Sequence, residues 1–275
     1  MKICVFGASG YVGASVYQLL KKPDGVDVSG TTLEDAPLFE ELDILDINEP
    51  ESFSDYFKRE NPDVVIWLVQ GGPEEHSLTT QGLMHVITFL RPETKLIYIS
   101  TDLVFSGGKG PYKEEDPISS LPDDHALRHY TNAKVKAERY IENELTNYVI
   151  LRAGPTYGEN LIGKLDERTD KLAYHLRTGK EISYRDDLIR TFVHVEDFAN
   201  VIVEMAQNDL TGVFHAGPDV QQSFYTFMQG MAEQQGFDGN FVQKAPEEEE
   251  PDTEVPKNTS LFTDKIKNKV NQTFR

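Results

Sequence analysis

The chain has 275 residues, enough for one large domain or a domain with a smaller partner and for a substantial buried core. Its 39% apolar and 27% charged residues are the make-up of an ordinary globular protein, and no apolar run reaches the ~20 residues of a membrane span, which with an N-terminus lacking signal-peptide layout gives the expectation of a cytoplasmic, membrane-free protein. A formal charge of −19 argues against general nucleic-acid or anionic-membrane binding, so an anionic ligand would need Lys and Arg concentrated at its own site.

Lys2 to Phe6 reads as a short buried strand containing the lone Cys4, a core thiol. GASGYVG follows at once, and Val12, Val16, Leu19 and Leu20 recur at helical spacing. Strand, glycine turn and helix are the opening of a dinucleotide-binding βαβ unit. Gly7 permits the tight turn, Gly10 the close approach of a pyrophosphate and Gly13 the packing of helix on strand, with the phosphates on the helix N-terminus. The spacing G-x-x-G-x-x-G is one residue longer in its first gap than the usual fingerprint.

A second strand is expected over Val26 to Thr31, followed by a loop with Glu34 and Asp35. These acidic groups either accept from adenosine ribose hydroxyls and repel a 2′-phosphate, which leans toward NAD over NADP, or form a solvated loop. Asp43-Ile44 lies in a strand-like piece where an adenine could pack. Asn48 to Glu51 offers a helix cap, with Phe53, Tyr56 and Phe57 as that helix's buried face. Asp63 to Val69 is a continuous apolar strand of the kind found in parallel sheets covered on both faces, and Gln70-Gly71-Gly72 at its end would lie along the crevice of Gly7. A helix is expected over Leu78 to Leu90.

Lys95 to Thr101 is the central strand, ending in the hydroxyls of Ser100 and Thr101. The glycine-rich FSGGKGPYKEEDP lacks a phosphate-loop ending and reads as a flexible substrate-side loop. In the helix beyond it Tyr130 and Lys134 stand four apart and share a face. An ammonium held beside the phenol favours phenolate, as proton exchange with a carbonyl or alcohol oxygen requires, and a hydroxyl at a strand end could bind the same oxygen. A Tyr and a Lys four apart also occur as a plain surface pair.

Tyr148 to Ala153 supplies a further strand, broken by Gly154-Pro155. Then come a helix over Leu165 to Thr178, the short segments EISY and RTFVHV, a helix over Val195 to Gln207, the strand GVFHA, a helix capped by Ser223, an exposed connector at Glu247 to Glu250 and a small closing helix in TSLFTDKIKNKV. Strands alternating with helices predict an α/β fold, a Rossmann-type doubly wound parallel sheet with ligands beyond the strand ends. Residues 1–153 are expected to form the dinucleotide-binding domain and 154–275 a smaller α/β substrate lobe with some chain crossing back to the sheet.

With GASGYVG, Ser100-Thr101-Asp102 and Tyr130-x-x-x-Lys134 in this order, the chain resembles the extended short-chain dehydrogenase/reductases. Within them it is most similar to the dTDP-4-dehydrorhamnose reductase family, through STDLVFSG, PYKEED, LRAGPTYGEN, FVHVEDFANVI, LTGVFHAG and VPKNTSLFTDKI. The resemblance implies NAD or NADP as cofactor, held by Gly7, Ser9, Gly10, Tyr11, Val12, Gly13 and Gln70, with Asp43 and Ile44 bordering the adenine and Lys134 on the nicotinamide ribose. It implies Tyr130 as general acid or base with Thr101 as its hydrogen-bonding partner. A nucleotide-sugar substrate would meet Thr101, Asp102, Val104, Asn160 and Arg190, although Arg190 also reads as a surface arginine. His194 and His215 read as packed strand residues, no metal is expected, and a homodimer is compatible with the family.

The chain departs from that pattern in three places. Tyr-Thr-Asn-Ala-Lys stands where relatives have Tyr-Gly-x-Ser-Lys, Trp67-Leu68-Val69-Gln70 replaces Asn-x-Ala-Ala, and RTFVHVED is nearer the epimerase and dehydratase version of its segment. Reduction of a 4-keto-6-deoxy sugar is the first expectation from the resemblance, and the departures are what keep other readings open. An epimerase or dehydratase, and a non-catalytic dinucleotide-binding regulatory subunit, are the alternatives.

Overall fold

The computed structural model describes residues 1–46, 49–71, 74–245 and 255–275. The Asn48 cap, Gly72 and the Glu247 to Glu250 connector lie outside them.

The core is a seven-stranded parallel sheet built from β1 (Lys2–Phe6), β2 (Asp27–Thr32), β3 (Asp43–Ile44), β4 (Val64–Trp67), β5 (Lys95–Thr101), β6 (Tyr148–Ala153) and, after the short strands β7 (Thr156–Tyr157), β8 (Ile182–Tyr184), β9 (Ile189–Arg190) and β10 (Val193–His194), β11 (Gly212–Ala216). Its order, β11-β6-β5-β4-β1-β2-β3, reverses direction at β1, which pairs with β2 on one side and β4 on the other, Ile3 lying opposite both Val28 and Val64. Ligands bind at such a switch point in open α/β sheets. The class expected from the sequence is the class observed, and β1, β3, β5, β6 and β11 begin and end where the apolar runs do.

Both faces of the sheet are covered, which is why its strands read as unbroken apolar runs. On one face α1 (Tyr11–Leu20) and, later in the chain, the 195–207 helix bury Val16, Leu20, Phe198 and Ile202 against Ile3, Val5 and Ile97. On the other, α2 (Pro50–Glu60) places Phe53, Tyr56 and Phe57 on Phe6 and Trp67, Phe53 being fully buried. Each such side chain contributes roughly 1.5–3 kcal/mol of transfer free energy. Trp67 is thus a core residue turned away from the crevice, and only Leu68, Val69 and Gln70 of that departure face the crevice.

The helix expected over 78–90 is three pieces: α3 (Glu75–Ser77), a π-helical stretch Leu78–Leu83 and α4 (Met84–Ile87). α5 (Arg128–Glu144) carries Tyr130 and Lys134 in its first two turns. One turn on, Glu138 accepts from Ser100 of β5 and takes a buried bidentate ion pair from Arg152 of β6, so the helix is locked to the two strands whose ends flank the site.

Beyond β6, α6 (Glu167–Arg177) is capped by Asp166, and α7 (Val195–Gln207) returns to the sheet beside α1. β12 (Gln222–Ser223), α8 (Phe224–Gln234) and β13 (Val242–Lys244) complete a smaller cluster in which Leu172, Leu176, Phe192, Phe227 and Met228 pack together. Ser223 caps α8 by accepting from Thr226 N–H, as its sequence position suggests. The closing helix is shorter than expected: only α9 (Asp264–Lys267) is helical. The residues before it instead run along the 105–117 loop, with Gly110 N–H on Asn258 O and Tyr112 N–H on Ser260 O. That loop is therefore fastened to the C-terminal segment, a correction to its reading as a flexible element. Among the described residues no helix is long and apolar enough to cross a membrane.

Candidate active site

A cavity of about 880 Å³ opens over the carboxyl ends of β1, β2, β4 and β5. Its floor is the glycine turn. Gly7 has φ +81°, a left-handed conformation that favours glycine, and a Cβ on Gly13 would lie 2.0 Å from the Gly7 carbonyl oxygen, so α1 can approach β1 this closely only without a side chain there. Gly10 caps α1 with no side-chain hydrogen bond, and the first turn carries no acidic residue. Within the turn Ala8 N–H and Gly10 N–H donate to Thr31 O and Gly7 O, so it is the first turn of α1, with the positive end of the helix dipole, that is left to a phosphate. Ser9, Tyr11 and Val12 line the same wall. These residues fit a dinucleotide's pyrophosphate.

The adenosine end differs from expectation. Thr31, Thr32, Leu33 and Leu45 line it, while Asp43 pairs with Arg59 and Ile44 is 64% exposed, neither of them bordering the cavity. In a two-residue strand the alternation of faces puts the next residue, Leu45, inward. Glu34 and Asp35 are exposed beyond this wall.

At the opposite end the strand terminus and α5 bring Thr101, Asp102, Tyr130 and Lys134 together, with Gln70 Nε2 3.4 Å from the Tyr130 hydroxyl. Lys134 Nζ sits 5.6 Å from the Tyr130 ring centre and donates to Ile99 O. The juxtaposition expected from the spacing is present, but its electrostatics are not. Glu75, 1% exposed, holds Lys134 in an ion pair at 2.8 Å, and its other oxygen accepts from Gly71 N–H. Burial first, then the Glu75 charge, push the Tyr130 phenol well above its ordinary range, while Thr101's hydrogen bond works the other way. The expectation that Lys134 draws the phenol toward neutrality is corrected: its positive charge is answered by a carboxylate 59 positions away in sequence, which helical spacing could not reveal.

Three expected substrate contacts are structural. Arg190 is buried, lies 3.6 Å from Asp102 and donates to the carbonyls of Ile189, Pro256 and Lys257. Asn160, 4% exposed, donates to Tyr11 O and accepts from Ile162 and Lys164 N–H, so it fastens the start of α1. Val104 packs with Phe105, Val135 and Leu261. His194 caps α7 and His215 is sealed in the core, as packed residues. The sequence reading missed Glu75 and Arg168. Arg168 reaches the cavity wall beside Pro155 and Thr156, where it donates to Thr156 O and keeps much of its side chain exposed.

A nucleotide-binding crevice at the switch point of a doubly wound sheet, with a Thr, Tyr and Lys at one end, defines a dinucleotide-dependent dehydrogenase type of fold. The chain belongs to the NAD dependent epimerase/dehydratase family, whose model matches residues 3–217. A curated relative, methionine adenosyltransferase 2 subunit beta of Xenopus laevis, is 26% identical over 282 residues, covering 95% of this chain and 80% of that protein. Two solved structures share the fold. A hypothetical dTDP-4-dehydrorhamnose reductase from Sulfolobus tokodaii has TM-score 0.81 at 20% identity, with 100% of this chain and 96% of that one covered. The dTDP-4-dehydrorhamnose reductase of Bacillus anthracis, solved with NADP, has TM-score 0.80 at 20% identity, covering 99% and 94%.

Proposed function

We propose that the protein is a nicotinamide-dinucleotide-dependent reductase of a nucleotide-activated sugar, acting on a 4-keto-6-deoxy sugar. The observation that carries this reading is the convergence of Thr101, Tyr130 and Lys134 at the end of the glycine-floored cavity. A bound dinucleotide would supply the hydride that reduces the ketone carbon. Tyr130 then holds the proton that the ketone oxygen takes, and Thr101 is the hydroxyl placed to hydrogen-bond that oxygen. Lys134 would hold the nicotinamide ribose, and Leu68, Val69 and Phe198 give the cavity an apolar wall. Arg168, the exposed cation of this wall, suits a diphosphate better than the buried Arg190 does. In this reading residues 1–153 bind the dinucleotide, and the parts of 154–275 outside the sheet form the substrate lobe. The adenosine wall, Thr31 to Leu33 with no basic residue among the described lining groups, favours NAD over NADP.

The direct test offers a panel of nucleotide-linked 4-keto-6-deoxy sugars with NADH and follows its oxidation together with the alcohol product. Stoichiometric conversion of at least one sugar is expected, and none across the panel would overturn the reading. A second reading, a dinucleotide-binding regulatory subunit of an adenosyltransferase-type enzyme, is favoured by the name of the curated relative. It predicts dinucleotide binding without turnover.

A further inference from the structure

Of the four residues Trp67 to Gln70, Trp67 is turned into the core, Leu68 and Val69 are apolar, and Gln70 alone brings a polar side chain to the crevice. Its carboxamide Nε2 donates a long hydrogen bond, 3.4 Å, to the Tyr130 hydroxyl oxygen. The peptide that carries Gln70 is fixed to α5. Gly71 N–H donates to one oxygen of Glu75 at 2.9 Å, the other oxygen pairs with Lys134 Nζ at 2.8 Å, and both of these side chains are buried. Lys134 lies one turn beyond Tyr130 on the same helix, so a buried bridge sets the spacing between the Gln70–Gly71 peptide and the Tyr130 phenol.

We propose that Gln70 is a catalytic residue of the reduction: its N–H donates to Tyr130 Oη, turns the Tyr130 O–H toward the cavity, and stabilises the phenolate as the proton leaves. The proposal rests on the reductase reading and adds a group to it. A phenol oxygen that accepts a hydrogen bond on one side directs its own hydrogen elsewhere, and the cavity is where a ketone oxygen would stand. As the ketone carbon gains hydride, the ketone oxygen takes the proton from Oη, and the O–H electron pair stays on Oη. A donor already in contact with that oxygen binds it more strongly as negative charge develops, with no reorganisation at the moment of transfer. The barrier falls in both directions and the equilibrium of the reaction is untouched. Being neutral, the carboxamide does this without adding a charge beside Lys134 and Glu75.

One half of the test reads the contact without dinucleotide or sugar. In the 15N-labelled full chain the Gln70 side-chain amide resonances, assigned with Gln70→Met, are compared between wild type and Tyr130→Phe. Phe keeps the ring and its ring current and deletes the acceptor, so the Gln70 N–H resonances are expected to move. Unmoved resonances, as given by an amide turned so that its Oε1 accepts from the phenol, overturn the proposal. The other half reads the chemistry. On a sugar that the wild type reduces, Gln70→Met is expected to lower kcat by about 10–100-fold, the worth of a hydrogen bond to a charged group, with NADH affinity by calorimetry unchanged. In the Tyr130→Phe background the same substitution should cost nothing further, whereas a disturbed fold would cost as much in both backgrounds. An unchanged kcat, an equal loss in both backgrounds, or a loss confined to NADH affinity overturns the proposal. Moved resonances with no sugar turned over would support the contact and count against the reductase reading alone.

Discussion

The guanidinium of Arg190 lies 3.6 Å from the carboxylate of Asp102, and both side chains are sealed from solvent. Asp102 also accepts from Thr259, and Arg190 holds the carbonyls of Pro256 and Lys257. The pair therefore ties the end of β5 to the C-terminal segment. Removing one partner of a buried ion pair leaves the other charge uncompensated, at a cost of about 3–5 kcal/mol. Arg190→Ala is expected to lose roughly that much in urea unfolding and to impair dinucleotide and sugar binding together, in proportion to the unfolded fraction. A selective loss of sugar affinity in a fully stable variant would place Arg190 in the substrate site instead.

Arg168 is expected to behave in the opposite way. Its side chain is 43% exposed, and its ion pair with Asp166 is long at 3.7 Å. Arg168→Ala should leave unfolding free energy within about 1 kcal/mol of wild type. It should raise the KM for a nucleotide sugar at least about tenfold, the worth of one charge-assisted hydrogen bond, while dinucleotide affinity is unchanged. Calorimetric titration of each ligand separates these effects.

The contrast shows what could be read from the chain. Elements with one-dimensional signatures were legible: the apolar runs of β1, β5 and β11, the Gly7 to Gly13 turn, and Tyr130 with Lys134 at helical spacing. The roles of Arg190, Asn160 and Glu75 were not, because their partners come from other parts of the fold. Arg190 meets Asp102 and residues 256–257, Asn160 meets Tyr11, and Glu75 meets Lys134. No local periodicity encodes such pairings. The adenosine wall was misread by one residue, since Asp43 is drawn to Arg59 and Leu45 turns inward.

Gly13 offers a sharp steric test. An Ala there places its Cβ 2.0 Å from the Gly7 carbonyl oxygen, a backbone atom, so the turn must shift. Gly13→Ala is expected to destabilise the protein by about 1–3 kcal/mol and to weaken dinucleotide binding strongly. Gly230 of α8 has nothing near its missing Cβ, and Gly230→Ala should instead stabilise by about 0.5–1 kcal/mol. Thermal unfolding with and without NADH reads both.

His215 makes stability depend on pH. It is fully buried, its Nδ1 lies 3.1 Å from Phe262 O, and burial, with Arg152 adding to it, lowers its pKa to about 3 from the ordinary 6.5. Above pH ~6.5 the ring is neutral in both folded and unfolded chains, and His215 adds no pH dependence. As pH falls through that value the unfolded chain takes a proton that the folded chain refuses. Stability should drop by up to about 1.4 kcal/mol per pH unit, until the folded ring itself protonates near the lowered pKa. Urea unfolding at pH 7 and pH 5 should show this slope reduced in His215→Asn. Equal slopes in both proteins would show that the ring is solvated.

The central claim, that Tyr130 is the proton donor of a dinucleotide-dependent ketone reduction, is tested most directly by Tyr130→Phe, which keeps the ring and removes only the hydroxyl. On a nucleotide-linked 4-keto-6-deoxy sugar that the wild type reduces, the variant's kcat should fall by roughly 10² to 10⁴, the usual worth of a positioned acid, while NADH affinity measured by calorimetry stays unchanged. Wild-type turnover by Tyr130→Phe would contradict the account.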